Sequence, residues 1–239
     1  MFRLRNSRTL DCFGCKGACQ NTHILKSKKK EAMKNIKAII FDLDNTIYAV
    51  ESISDALFKD LFDLIRSDGR FEGDFGDVQD TIKRKPFQFV SEQFRFDPEL
   101  TNECTELLSD LVHEGPIQTF EEFSKIGEIN CKKFLVTTGF MNLQWSKIKK
   151  LRLEQFFEEI FIVDPQTYTE TKKDIFNRIV CNYRFNKNEV LVLGDDLNSE
   201  IKAGEELGLK TVVFDYEYKF SGNTDQKVVN NYRQFMGLF

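Results

Sequence analysis

Three carboxylates are the residues of this chain best placed to carry out a reaction. Asp42 and Asp44 sit in Phe41-Asp42-Leu43-Asp44-Asn45-Thr46, directly after an apolar run. Residues two apart leave a strand on the same side, so the two acids project together. Carboxylates this close repel, and burial raises one pKa unless a cation intervenes. A third acid, Asp195, follows another apolar run and makes a cation nearly obligatory. Oxygen donors with room for water favour magnesium over zinc. The sequence holds two histidines, His23 and His113, so a Ser-His-Asp or Cys-His system would have to recruit one of them. Carboxylates, Lys, Thr and a metal are the expected machinery, and His113 is read as structural.

These side chains need a frame. Ala38–Phe41, Phe134–Val136, Ile160–Val163, Val190–Leu193 and Thr211–Phe214 are short, unbroken apolar runs. Unbroken rather than alternating apolarity is how strands buried on both faces of a parallel sheet read. Helical patterns at about 143–157, 171–184 and 197–208 separate the later runs, which predicts right-handed βαβ units. The runs end at Asp42, Thr137, Asp164, Gly194-Asp195 and Asp215. In open α/β sheets, ligands bind beyond the carboxyl ends of the strands, at the switch point of the strand order. The polar strand ends therefore share one rim, although at Asp164 and Asp215 a simple return of polarity explains the residue equally well.

The expected fold is α/β: a Rossmann-like doubly wound parallel sheet from 33–48 and 116–239, with a small α-helical insert over 49–115. Leu57, Leu61, Leu64 and Ile65 make one helical stripe that Gly69 closes. Leu100, Cys104, Leu107, Leu108, Leu111 and Val112 make another, and Gly69, Gly73 and Gly76 mark a loop.

With these motifs in place, the chain resembles the haloacid dehalogenase-like (HAD) hydrolase superfamily from about residue 36 to 215. Asp42-Leu43-Asp44-Asn45-Thr46 matches that family's first motif, DxDxT. Leu135–Gly139 is similar to the second, an apolar strand ending in Thr or Ser. Gly194–Glu200 is similar to the fourth, with Glu200 where many relatives have Asp. The third motif is a lysine before strand four. Lys172 and Lys173 both fit and Lys172 is favoured, though neither precedes the proline common in relatives.

The resemblance implies a phosphatase. Asp42 would attack phosphorus, and Asp44 would protonate the leaving alcohol and then activate water. Magnesium would be held by Asp42, the Asp44 carbonyl and Asp195, with Glu200 in support. Thr137, Thr138 and Lys172 would hold phosphate oxygens, with backbone N–H groups near Leu43 and Thr138. Dehalogenases of the superfamily lack the second acid, since a halide leaves without a proton; Asp44 therefore favours phosphoester chemistry. The insert resembles a helical cap, which suits a small phosphorylated metabolite; Ile47-Tyr48 after the first motif is faintly similar to nucleotide 5′-monophosphatases of the superfamily, and a sugar phosphate is the other expectation. Arg70, Lys83, Arg84, Lys85 and Arg95 on it are read chiefly as a solvated face. A phosphoryl-transfer mutase and a degenerate ligand-binding member are the alternatives.

Composition narrows the partners. Overall charge is −4, but residues 1–32 carry eight Lys/Arg against two acids, leaving −10 for the remainder. An acidic body disfavours nucleic acid. No apolar run approaches the roughly 20 residues of a membrane helix. No secretory segment is evident, and Cys104, Cys131 and Cys181 read as reduced, so the expectation is cytoplasmic. The basic tail over 1–32 reads as disordered and dispensable, with Met33 as the start of the folded part. Cys12, Cys15, Cys19 and His23 as zinc ligands, or a transit peptide, are lesser readings. Asp42→Asn is expected to abolish phosphoester turnover and Asp44→Asn to slow it greatly, measured by phosphate release; full activity in the first would remove the nucleophile.

Overall fold

In the computed structural model, which describes residues 33, 35–164, 166, 170–220 and 226–239, the apolar runs become a six-stranded sheet. Strands β1 (Ala38–Phe41), β2 (Lys132–Thr138), β3 (Glu159–Val163), β4 (Val190–Gly194), β5 (Lys210–Phe214) and β6 (Val228–Val229) lie in the order β3-β2-β1-β4-β5-β6. Every pairing is parallel. β1 and β4 are buried throughout, as continuous apolarity demands when helices cover both faces. The chain runs outward from β1 to β2 and β3, then returns to β4 on the other side of β1, so the switch point lies between β1 and β4. β6, only two residues long, is too short for an apolar run to have announced it.

Between β1 and β2 the chain builds five helices: α1 (Glu51–Leu57), α2 (Lys59–Asp68), α3 (Phe75–Ile82), α4 (Phe87–Gln93) and α5 (Pro98–Asp110). They bury their own cluster around Phe62, Ile65, Val78, Val90 and Leu100, and Phe140 and Leu143 from beyond β2 reach into it. The insert is thereby packed over the carboxyl end of the sheet. Gly69 ends α2 at φ 74, a left-handed conformation that suits glycine. Gly76, expected in a loop, lies inside α3, because Asp74 caps that helix by accepting from Gly76 N–H. The second stripe overran its helix: α5 stops at Asp110, and Val112 is exposed.

The remaining helices are α6 (Met141–Lys150), α7 (Lys172–Asn182), α8 (Lys202–Leu207) and α9 (Tyr232–Met236). The pattern at 143–157 divides into α6 and a 3-10 turn over Leu153–Phe156, separated by Arg152 at φ 53. The pattern at 197–208 divides likewise, a wide π-type turn over Leu197–Ile201 preceding α8.

One face of the sheet packs Ile39, Phe41, Leu191 and Leu193 against Phe123, Tyr232 and Phe235; the other packs Ile40 and Val192 against Ile175, Phe176 and Ile179. Phenylalanine fills this core edge to face, as where Phe41 meets Phe157 at 5.6 Å and Phe235 at 6.0 Å. Among the described residues no helix is long and apolar enough to cross a membrane, and Cys104, Cys131 and Cys181 are free thiols. The expectations for residues 1–32, including Cys12, Cys15, Cys19 and His23, lie outside the described residues.

Tyr232 ties α9 to the loop after β1, its hydroxyl donating to the Thr46 carbonyl at 2.9 Å in a fully buried position. Tyr232→Phe strands that carbonyl and is expected to cost about 1–2 kcal/mol, read as a lowered urea midpoint with unchanged m-value.

Candidate active site

β1 ends at Phe41, and Asp42 continues its ladder by donating its N–H to the Leu193 carbonyl at 2.9 Å. That bond holds Asp42 at the mouth of the crevice between β1 and β4. The following loop is fixed by Asn45, at φ 57, whose side chain accepts from Val50 N–H at 3.1 Å; short polar side chains tolerate this conformation best. β4 delivers Asp195 beside Asp42, and the turn after it returns Glu200. Carboxylate oxygens of Asp42, Asp195 and Glu200 all lie within 4.8 Å of one another.

Lys172 enters from the first turn of α7, whose start is fixed by a capping box between Thr171 and Asp174. Its ammonium donates to Asp42 Oδ1 at 2.6 Å and to Glu200 Oε2 at 2.8 Å. Lys173 points elsewhere, to Glu206 on the surface at 2.7 Å. Glu200 is buried, and its other oxygen accepts the Asp196 N–H at 2.7 Å. Its side chain occupies the space beside Gly194: a Cβ there would come within 2.2 Å of Glu200 Cγ and Oε1. Glycine at 194 is thus what lets the longer acid fold back into the site.

One lysine does not balance three carboxylates. Burial, with Glu200 and Asp44 adding and Lys172 opposing, pushes Asp42 up to about 7. Burial followed by Glu200 and Asp42 pushes Asp195 well above the usual carboxylate range. An all-oxygen donor set with excess negative charge suits a hard divalent cation such as magnesium.

Asp44 behaves differently. Its carboxylate is not among the three whose oxygens lie within 4.8 Å of one another. Burial would raise its pKa, but the Lys147 charge and hydrogen bonds from Gln144, Lys147 and Tyr48 hold it below the ordinary value. Lys147 Nζ is 2.6 Å from Oδ1, Gln144 Nε2 is 2.8 Å from Oδ2, and the Tyr48 hydroxyl also donates to Oδ1. Burial and the neighbouring Asp44 keep the Tyr48 hydroxyl protonated. Sequence reasoning missed Tyr48, Gln144 and Lys147. The only available signal was position: Tyr48 lies four residues past Asp44, and Gln144 and Lys147 share a face of the helix that follows the Thr137 strand.

Thr137 is buried and its Oγ1 lies 2.9 Å from Gln144 Nε2; the Thr138 carbonyl accepts from the same nitrogen. Thr137, Thr138, Lys172, Asp42, Asp44, Asp195 and Glu200 all line one cavity of about 220 Å³ beneath the insert. Lys83, Arg84 and Lys85 also line it, while Arg70 and Arg95 pair with acids on the surface. Asp164 and Asp215 are occupied structurally. The first accepts Met141 N–H and Gln166 N–H; the second accepts Lys219 N–H and Phe220 N–H. His113 is buried outside the cavity lining, its N–H donating to Ser146 Oγ at 2.8 Å.

A doubly wound sheet with a carboxylate–lysine cluster at its switch point defines a Rossmann-like α/β enzyme. The family profile of haloacid dehalogenase-like hydrolases matches residues 36–208, and the chain belongs to that family. It is 26% identical over 201 residues to glyceraldehyde 3-phosphate phosphatase of Pyrococcus furiosus, covering 77% of this chain and 82% of that protein. Among solved structures it is similar to a haloacid dehalogenase-like hydrolase of Streptococcus pneumoniae, with TM-score 0.65 and 14% identity over 87% of this chain and all of that one. It is also similar to YfnB of Bacillus subtilis, solved with magnesium bound, with TM-score 0.58 and 16% identity over 86% and 99% of the two chains.

The raised Asp42 pKa makes stability depend on pH. The unfolded chain releases this proton near 3.8, whereas the folded protein holds it to about 7. Across that window the native state binds more protons, so metal-free stability falls as pH rises. Magnesium is therefore expected to raise the melting temperature more at about pH 8 than at about pH 5, as read by calorimetry.

Proposed function

We propose that this hydrolase is a magnesium-dependent phosphatase of small phosphate monoesters, with Asp42 as nucleophile. The observation that carries the reading is the contact of Lys172 with both Asp42 and Glu200, beside Asp195 at the switch point. Asp42 attacks phosphorus in line; its oxygen bonds to phosphorus as the ester P–O bond breaks, giving an aspartyl-phosphate. Asp44, protonated in the substrate complex, supplies that proton to the departing alkoxide and then, as the carboxylate its donors favour, takes one from the water that cleaves the intermediate and releases phosphate. Lys172, the Thr137 hydroxyl and the main-chain N–H groups near Leu43 and Thr138 hold the equatorial oxygens while charge shifts. Magnesium held by Asp42, Asp195 and the Asp44 carbonyl, with Glu200 in support, would cancel repulsion between nucleophile and phosphate.

The helical segment over 49–115 acts as a lid on a core of 33–48 and 116–239. Among the described residues, two ion pairs join them: Lys85 to Asp196 at 2.5 Å and Arg84 to Glu217 at 2.9 Å, the latter through both nitrogens of its fork. The cavity of about 220 Å³ falls below the ~300–1,000 Å³ of typical drug-sized sites. That size favours a three-carbon or similarly small phosphate over a nucleoside monophosphate, in keeping with the named activity of the Pyrococcus relative.

Phosphate release from 4-nitrophenyl phosphate is expected with magnesium and not with EDTA, and triose phosphates are expected to exceed nucleoside monophosphates in kcat/KM. Equal turnover with and without the metal would sink the reading; a preference for nucleotides would sink its substrate class.

A further inference from the structure

The proposed mechanism uses Asp44 but not the three donors around it. Asp44 must aim one carboxylate oxygen at the leaving oxygen and then at water, yet it sits on a loop beyond the last residue of β1. Its side chain is 29% exposed toward the cavity, and the rest of its surface is surrounded by donors. Lys147, only 4% exposed, makes its ion pair with Asp44, and its ammonium also lies 5.6 Å from the Tyr48 ring centroid. Gln144 is 2% exposed, and its Nε2 faces Asp44 Oδ2, Thr137 Oγ1 and the Thr138 carbonyl. Two of these three accept only, so the amide nitrogen must face them, and Oε1 is left buried without a partner. Gly139, at φ 151, makes room: a Cβ there would lie 2.9 Å from Gln144 Nε2. A buried charge and a buried amide with an orphaned oxygen are costly, which gives this arrangement little value as mere packing.

We propose that Lys147 and Gln144 are positioning residues that fix the Asp44 carboxylate for proton transfer, Gln144 also locking it to the phosphate-binding strand end at Thr137. The inference rests on the phosphatase reading. An ester with a poor leaving group needs the proton from Asp44, whereas a nitrophenolate departs without it. Loss of aim therefore penalises one substrate and spares the other.

The test compares kcat/KM, which reports steps through ester cleavage, for an alkyl phosphate (glycerol 3-phosphate) and for 4-nitrophenyl phosphate. It uses the full chain with saturating magnesium. Lys147→Met and Gln144→Leu are each expected to lower the alkyl value by about 10²-fold, the lower end of general-acid effects, and the aryl value several-fold at most. Lys147→Arg is expected to restore part of the alkyl rate. An equal loss on both esters, or no loss on the alkyl ester, overturns the assignment. Circular dichroism checks each variant's fold; should Lys147→Met fail to fold, the alkyl-to-aryl ratio of Gln144→Leu decides. Wild-type turnover of both esters bears on the phosphatase reading alone, and only the ratio in the variants bears on positioning.

Discussion

Negative charge crowded into the gap between two parallel strands governs the rest of the molecule. Asp42, Asp195 and Glu200 are brought together by strand register and one tight turn, against the repulsion that would drive them apart. Lys172 offsets part of it from the opposite helix, and the buried sheet prevents relaxation, since β1 and β4 have no solvent-facing side into which to shift. The fold is stable enough to hold an unfavourable cluster of acids in place, an arrangement whose chemistry fits a cation.

Two acids only two residues apart reach opposite electrostatic states. Asp42 meets burial and like charges, and its proton is held more tightly; Asp44 meets a lysine and two neutral donors, and its proton is held less tightly. A bound cation would favour the ionised form of Asp42, while the donors around Asp44 favour its carboxylate, the form that accepts a proton. The division follows from which elements face each residue: β4 and α7 around the first, α6 and the Tyr48 loop around the second.

The sheet was legible because its strands are apolar without interruption, and the strand ends were legible because polarity returns abruptly at Asp42, Thr137 and Asp195. The sequence already favours Lys172 over Lys173, and the fold adds the physical reason: adjacent residues at a helix start point to different sides, Lys172 to Asp42 and Lys173 to the surface. Gln144 and Lys147 were hidden in the sequence. A polar residue on an amphipathic helix normally faces water, and nothing in the sequence distinguishes one that is buried against a carboxylate. Leu111 and Val112 show the converse error, where apolar spacing continued although the helix had ended.

β1 is central in the sheet, yet its two neighbours come from residues 132–138 and 190–194. The contact between Lys172 and Asp42 spans 130 positions of sequence. A chain emerging from the ribosome therefore presents its first strand long before either flanking strand exists, and the five-helix insert is the first piece able to bury apolar surface of its own. The strand that leads into Asp42 must stay unpaired, and at risk of non-native association, until its flanking strands have been synthesised.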